Sequence, residues 1–195
     1  MINYNIEYQE NFSRSQLLLR TFFGTFYIFI PHFFLLMFIQ IASGVLSFLA
    51  WWSVLFTERY PRSIFDFQLN NMRWVARVQA RMFHLIDGYP AFGMKKTDPG
   101  ITFDIAYPES LSRWLLLLRT FFGLFYCLIP HSFLFFFRMI GSIFLIFLSW
   151  WAVLFTGKYP HSWHKFTVDT LRWEMRVNIY MMFMSDSYPP FNGKP

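Results

Sequence analysis

LLLRTFFGTFYIFIPHFFLLMFIQIASGVLSFLAWWSVLFT, residues 17–57, carries one full charge, Arg20, and one proline, Pro31. A helix that crosses a bilayer needs about 20 apolar residues, so this run is long enough for nearly two crossings. Proline removes a helix donor and disfavours helix in the residue before it. Two readings follow: a hairpin turning near Pro31, with arms over 16–30 and 32–57, or one long kinked helix. Arg14 and Arg20 lie before or early in the run, and Arg59, Arg62, Arg73, Arg77 and Arg81 follow it. Basic residues on both flanks place both on the cytoplasmic side. That favours the hairpin, with a first arm short enough to dip into the membrane rather than span it.

The run occurs twice. Shifted by 99 positions, the chain matches itself without a gap: Arg20–Gly24 falls on Arg119–Gly123, Ile30-Pro31-His32 on Ile129-Pro130-His131, and Trp51-Trp52 on Trp150-Trp151. Tyr60-Pro61 falls on Tyr159-Pro160, Arg73-Trp74 on Arg172-Trp173, Arg77-Val78 on Arg176-Val177, and Tyr89-Pro90 on Tyr188-Pro189. Roughly half of the aligned positions are identical, the signature of tandem duplication. The expected organisation is a first repeat over 1–96, a linker at 97–99 and a second repeat over 100–195. The polar, turn-forming stretch from Gly93 to Gly100 makes the join.

Upstream of each run the pattern has period two. Ile2, Tyr4, Ile6 and Tyr8 face one way and Asn3, Asn5 and Glu7 the other; Ile101, Phe103, Ile105 and Tyr107 repeat it. That predicts one half-buried strand per repeat, and a lone strand needs a partner for its backbone groups. The opening residues lack the basic-then-apolar order of a targeting segment. Downstream, Ser63 to about Ile86 predicts an amphipathic helix with Arg73, Arg77 and Arg81 on one stripe. Trp74 stands beside that stripe. Its twin carries Arg172, Trp173 and Arg176. Such a helix suits the headgroup layer.

Composition agrees. Of 195 residues, 55% are hydrophobic, 24% aromatic and 14% charged, against about 25% charged in an average soluble domain. Disorder is excluded by the apolar content, and an internal disulfide by the single cysteine, Cys127. The net charge of +6 in so aromatic a chain points to an anionic membrane surface before nucleic acid. The expected fold is a mainly α membrane protein of two tandem repeats. Each repeat has a short strand, a proline-broken transmembrane helical hairpin and an interfacial amphipathic helix.

Leu154–Pro160, Leu171-Arg172-Trp173, Arg176-Val177 and Asp186–Phe191 together resemble the bacterial family catalogued as domain of unknown function 4389. The first repeat shows the same pattern in Leu55–Pro61, Met72-Arg73-Trp74, Arg77-Val78 and Asp87–Phe92. It departs from it at Glu58, where glycine is usual, and the second repeat departs at His164-Lys165. The resemblance implies a bacterial membrane protein built of such repeats and brings no activity, cofactor or catalytic residue.

Several side chains are candidates for chemistry. His32 and His131 occupy equivalent places beside the prolines; they either ligate a haem b iron from two sides or satisfy backbone groups freed at the prolines. Arg138, where the first repeat has Ile39, is a charge inside an apolar run and so a candidate by default; the alternative is a contact to a headgroup or a partner carboxylate. Arg73, Arg77, Arg172 and Arg176, with Trp74 and Trp173, are expected to bind lipid phosphates or an acidic partner, or else to pair with Asp87 and Asp186. The apolar runs hold no carboxylate for an ion path, and no phosphate loop, nucleophile elbow or metal spacing occurs.

The expected function is therefore non-catalytic: an accessory or scaffold subunit of a bacterial inner-membrane assembly. It is expected to be multi-pass with cytoplasmic termini, to contact lipids and other membrane subunits, and to need no cofactor, metal or nucleic acid. A lipid-handling or small-solute transport component and a haem-bearing electron-transfer subunit are the alternatives. Positions where the halves diverge, Ile39/Arg138, Phe65-Asp66/His164-Lys165 and Arg81/Tyr180, are expected to face an asymmetric partner.

Overall fold

Each apolar run folds as one unbroken helix. The computed structural model describes residues 2–195 and has the order β1 (Ile2–Ile6), α1 (Arg14–Thr57), α2 (Arg62–Met82), β2 (Ile101–Ile105), α3 (Arg113–Thr156) and α4 (His161–Met181). The expected hairpin at Pro31 and Pro130 is thus corrected to a single long helix. Thr25–Phe29 and Leu124–Leu128, just ahead of the prolines, are π-helical. A π turn is a known way for a helix to absorb a local misfit and bend rather than end. Ser13 and Ser112 begin the long helices by accepting from the backbone N–H groups of Gln16 and Leu115.

β1 and β2 find each other. They form an antiparallel ladder in the register Ile2–Ile105, Tyr4–Phe103 and Ile6–Ile101. Tyr4 and Phe103 are counterparts in the duplication, so the pseudo-two-fold axis passes between them. The alternation holds as well: Tyr4, Ile6, Phe103 and Ile105 are buried, while Asn3, Asn5, Thr102 and Asp104 are exposed.

The repeats exchange their opening segments. The Phe12 N–H donates to the Gly157 carbonyl and the Leu111 N–H to the Glu58 carbonyl, each at 2.8 Å. The Tyr8 hydroxyl donates to the Tyr159 carbonyl and the Tyr107 hydroxyl to that of Tyr60. Trp51 donates to Thr120 and Trp150 to Thr21, both at 2.8 Å. Arg14 and Arg113 reach the carbonyls of Phe155 and Phe56. The start of each long helix therefore lies against the end of the other.

α2 and α4 pack along their own long helices and against the ladder. The buried residues of α1 trace one stripe: Leu17, Arg20, Gly24, Ile28, His32, Ser43, Ala50 and Val54. The rest of its surface, including Phe22, Phe26, Phe34, Ile41, Phe48 and Phe56, is exposed, and α3 repeats this with Phe121, Phe125, Phe136, Ile143, Phe147 and Phe155. Both helices are long and apolar enough to cross a membrane, and only 11% and 17% of their most apolar windows are buried. The core helix of a soluble protein would be mostly covered.

Candidate functional site

The proline, the histidine and the repeat's tail form one connected unit, built twice. In an α-helix the carbonyl four residues before a proline loses its donor and is crowded by the ring. Those carbonyls belong to Tyr27 and Tyr126. The Tyr89 hydroxyl donates to the first at 2.9 Å and the Tyr188 hydroxyl to the second at 3.0 Å. The Tyr-Pro tail thus supplies the hydrogen bond that proline takes away.

Next to it, the Trp74 indole N–H donates to His32 Nδ1 at 2.8 Å, and Trp173 donates to His131 Nδ1 at 2.9 Å. Phe92 stacks on His32 with ring centres 3.9 Å apart, and Phe191 stacks on His131 at 4.1 Å. Both histidines are buried. Because Nδ1 accepts in each, the ring's own proton sits on Nε2. A histidine that ligates iron through Nε2 needs that lone pair, with its proton on Nδ1. The residues present do not fit a haem, and the reading of His32 and His131 as its ligands is replaced by a structural one. The Nε2 atoms are buried without a hydrogen-bond partner among the described residues, and those residues include no cluster of three His, Cys, Asp or Glu able to hold a metal ion.

Asp87 and Asp186 do not pair with Arg73/Arg77 and Arg172/Arg176. They pair with Arg20, at 2.6 Å, and with Arg119. Each of these arginines also donates to two backbone carbonyls at the end of its own repeat, Arg81 and Ile86 in one, Tyr180 and Ser185 in the other. Each aspartate accepts in addition from the N-cap backbone N–H, of Ser13 or of Ser112, at 2.7 Å. A charge inside an apolar run is tolerated here because every face of it is bonded.

The arginine stripes face inward. Arg73 Nε donates to the Phe103 carbonyl and Arg172 Nε to that of Tyr4, so each holds the other repeat's strand. Arg77 is buried and donates to the Lys96 and Gly93 carbonyls. Burial lowers its pKa below the ordinary arginine value, with Asp98 opposing that shift. Arg172 also pairs with Asp169, while Arg176, half-buried, makes one long contact to the Asn192 carbonyl. Trp74 and Trp173 are 3% exposed. Expected as lipid contacts, most of this set is instead consumed in the fold. α2 and α4 pack against the long helices and the ladder.

Arg138 is likewise engaged. Its Nε donates to Thr170 Oγ1 at 2.9 Å and its guanidinium lies over the Phe166 ring. Of the other divergent positions, Phe65, His164, Arg81 and Tyr180 are buried, while Lys165 is exposed and Asp66 half-buried. His164 donates to the Leu85 carbonyl of the first repeat, and Arg81 pairs with Asp98 of the linker at 2.7 Å.

The tail residues Tyr89/Tyr188 and Phe92/Phe191 were not among the expected site residues. Their recurrence at the same offset from Pro31-His32 and Pro130-His131 is the signal that could have marked them.

These features define a duplicated helical protein whose recurring polar residues close its own fold. Its two long helices leave a continuous apolar face uncovered. The chain belongs to the family described as Domain of unknown function (DUF4389), which matches residues 14–93 and again 113–192. No curated protein and no solved structure matches it.

Proposed function

We propose that the protein is a non-catalytic integral membrane component, serving as an accessory or scaffold subunit of an assembly in the bacterial inner membrane. The observation that carries this reading is the uncovered aromatic face of α1 and α3. Contiguous exposed apolar surface on this scale needs lipid or a partner to cover it. The recurring Arg, Asp, His, Trp and Tyr side chains are spent on internal bonds, which leaves that face as what the molecule offers outward. Purification in mild detergent tests this. A stoichiometric membrane partner supports the scaffold reading; a monodisperse chain carrying lipid alone, with no partner at native expression, overturns it.

A further inference from the structure

We propose that α1 and α3 lie in the plane of the membrane, so that the protein is embedded in one leaflet and does not cross. This rests on the membrane reading above and deepens it.

Length is the first reason. Each helix has 44 residues, which is about 66 Å at 1.5 Å per residue, against about 30 Å of hydrocarbon. The second is that the exposed apolar surface runs from Leu18 to Phe56, nearly the whole helix. Leu18, Phe22 and Phe23 near the start of α1, Phe38 and Ile41 midway, and Trp52 and Phe56 near its finish are all exposed. A crossing helix shows a central band instead.

The third reason decides the orientation. Polar structure accompanies α1 over much of its length. Buried Arg20–Asp87 lies toward one end, Gln40–Asn71 and the buried Ser43–Gln68 in the middle, and the exposed Glu58–Arg113 pair just past the other end. Beyond these, α2 exposes Arg62, and the ladder exposes Asn5, Thr102 and Asp104. Standing α1 upright would carry that layer into hydrocarbon, where charged and unpaired polar groups are expelled. Laid flat, a long helix is about 10 Å across, which fits a leaflet of about 15 Å. The polar layer then stays in water.

The occupant of the face is an anionic leaflet. Arg59 and Lys158, counterparts at the ends of the two long helices, are exposed at its rim, as is Trp114. Basic and aromatic rims suit headgroups.

The test uses the full chain in vesicles of phosphatidylcholine and phosphatidylglycerol. Single fluorophores are placed through Phe22→Cys, Phe38→Cys and Phe56→Cys in a Cys127→Ser background, and quenched by lipids carrying nitroxides at graded depths. In-plane seating predicts quenching at all three positions by the shallow nitroxides, within about twofold of one another, and none dominated by the deepest one. A steep gradient, with position 38 at the bilayer centre and the ends at the surfaces, overturns the proposal. So does labelling of Phe22→Cys from one side and Phe56→Cys from the other by an impermeant reagent. If labelled variants misfold, bromolipid quenching of variants that keep only Trp52, Trp114 or Trp151 among the exposed tryptophans reads the same depths. Failure of the unmodified chain to float with vesicles removes the membrane reading itself, and the in-plane seating with it.

Discussion

In the first repeat Arg81 is neutralised by Asp98 of the linker, whereas in the second the same place holds Tyr180, whose hydroxyl meets that of Tyr126 at 2.7 Å. The contrast recurs nearby. His84, half-buried, and His164, buried, lie in different repeats, and their counterparts are Phe183 and Phe65. By contrast the Arg–Asp pairs, the Tyr-to-carbonyl bonds and the Trp–His–Phe stacks are the same in both halves. The difference teaches which constraints belong to a repeat and which to its position. Bonds needed once per repeat have been kept. Residues along the seam have diverged, because the linker passes only one side of it.

The largest effect should come from the shared pair. Asp87→Asn and Asp186→Asn each leave a buried guanidinium without its counter-charge, which costs about 3–5 kcal/mol. Denaturant unfolding in detergent should show similar losses from both; a loss from one alone would break the equivalence of the repeats.

The seam histidines come next. Burial pushes the pKa of both His84 and His164 down to about 4; the Arg20 charge adds to this at His84, and the Leu85 carbonyl opposes it at His164. Both stay neutral when folded and protonate when unfolded, so between about pH 6.5 and 4 the unfolded state binds more protons and stability falls as pH falls. Each contributes at most about 3 kcal/mol over that window. His164→Phe, which copies the first repeat, should make the pH slope shallower, read from melts at stepped pH. An unchanged slope would mean that the ring is already solvated.

Asp98→Asn acts on one repeat only, strands the buried Arg81 guanidinium in the same way and should cost a similar amount, about 3 kcal/mol. Pairing it with Arg81→Tyr, which copies the second repeat, should recover part of that loss. Tyr89→Phe and Tyr188→Phe should cost about 1 kcal/mol each. The Tyr89→Phe loss should shrink when Pro31→Ala restores a backbone donor for the Tyr27 carbonyl, a coupling that a double-mutant cycle measures.

The smallest effect has the opposite sign. Glu58 ends α1 in the left-handed region at φ 58°, where the second repeat has Gly157 at φ 74°. Glu58→Gly relieves a conformation disfavoured for L-residues by about 1–2 kcal/mol and forfeits an exposed ion pair with Arg113 worth less. A slightly raised melting temperature is expected.

The duplication, the strands and the helical segments were legible because each has a local period. The continuity of α1 was not, since proline's effect depends on whether something else satisfies the carbonyl it orphans, and Tyr89 stands 62 residues from Tyr27. The arginine stripe misled for a related reason. Periodicity says that Arg73, Arg77 and Arg81 share a face, but not whether that face meets headgroups or the carbonyls of a distant segment. Arg172 finds its acceptor at Tyr4, 168 residues away. The family pattern marked the right residues without revealing that they bond to one another.

The exchanged opening segments also constrain how the chain can be made. When a ribosome has delivered the first repeat as far as Gly93, the carbonyls of Phe56, Glu58 and Tyr60 still lack the donors that Arg113, Leu111 and Tyr107 supply. β1 still has a bare edge, because Ile101–Ile105 has not emerged. At about 5–20 residues per second, the nascent first repeat waits on the order of seconds for residues 101–113. Through that interval it presents an aromatic face and an open strand edge together, the combination most prone to aggregation. Synthesis beside a membrane that takes up the face at once would leave only the edge to be guarded. The two halves then reach their final form together, as one cooperative unit.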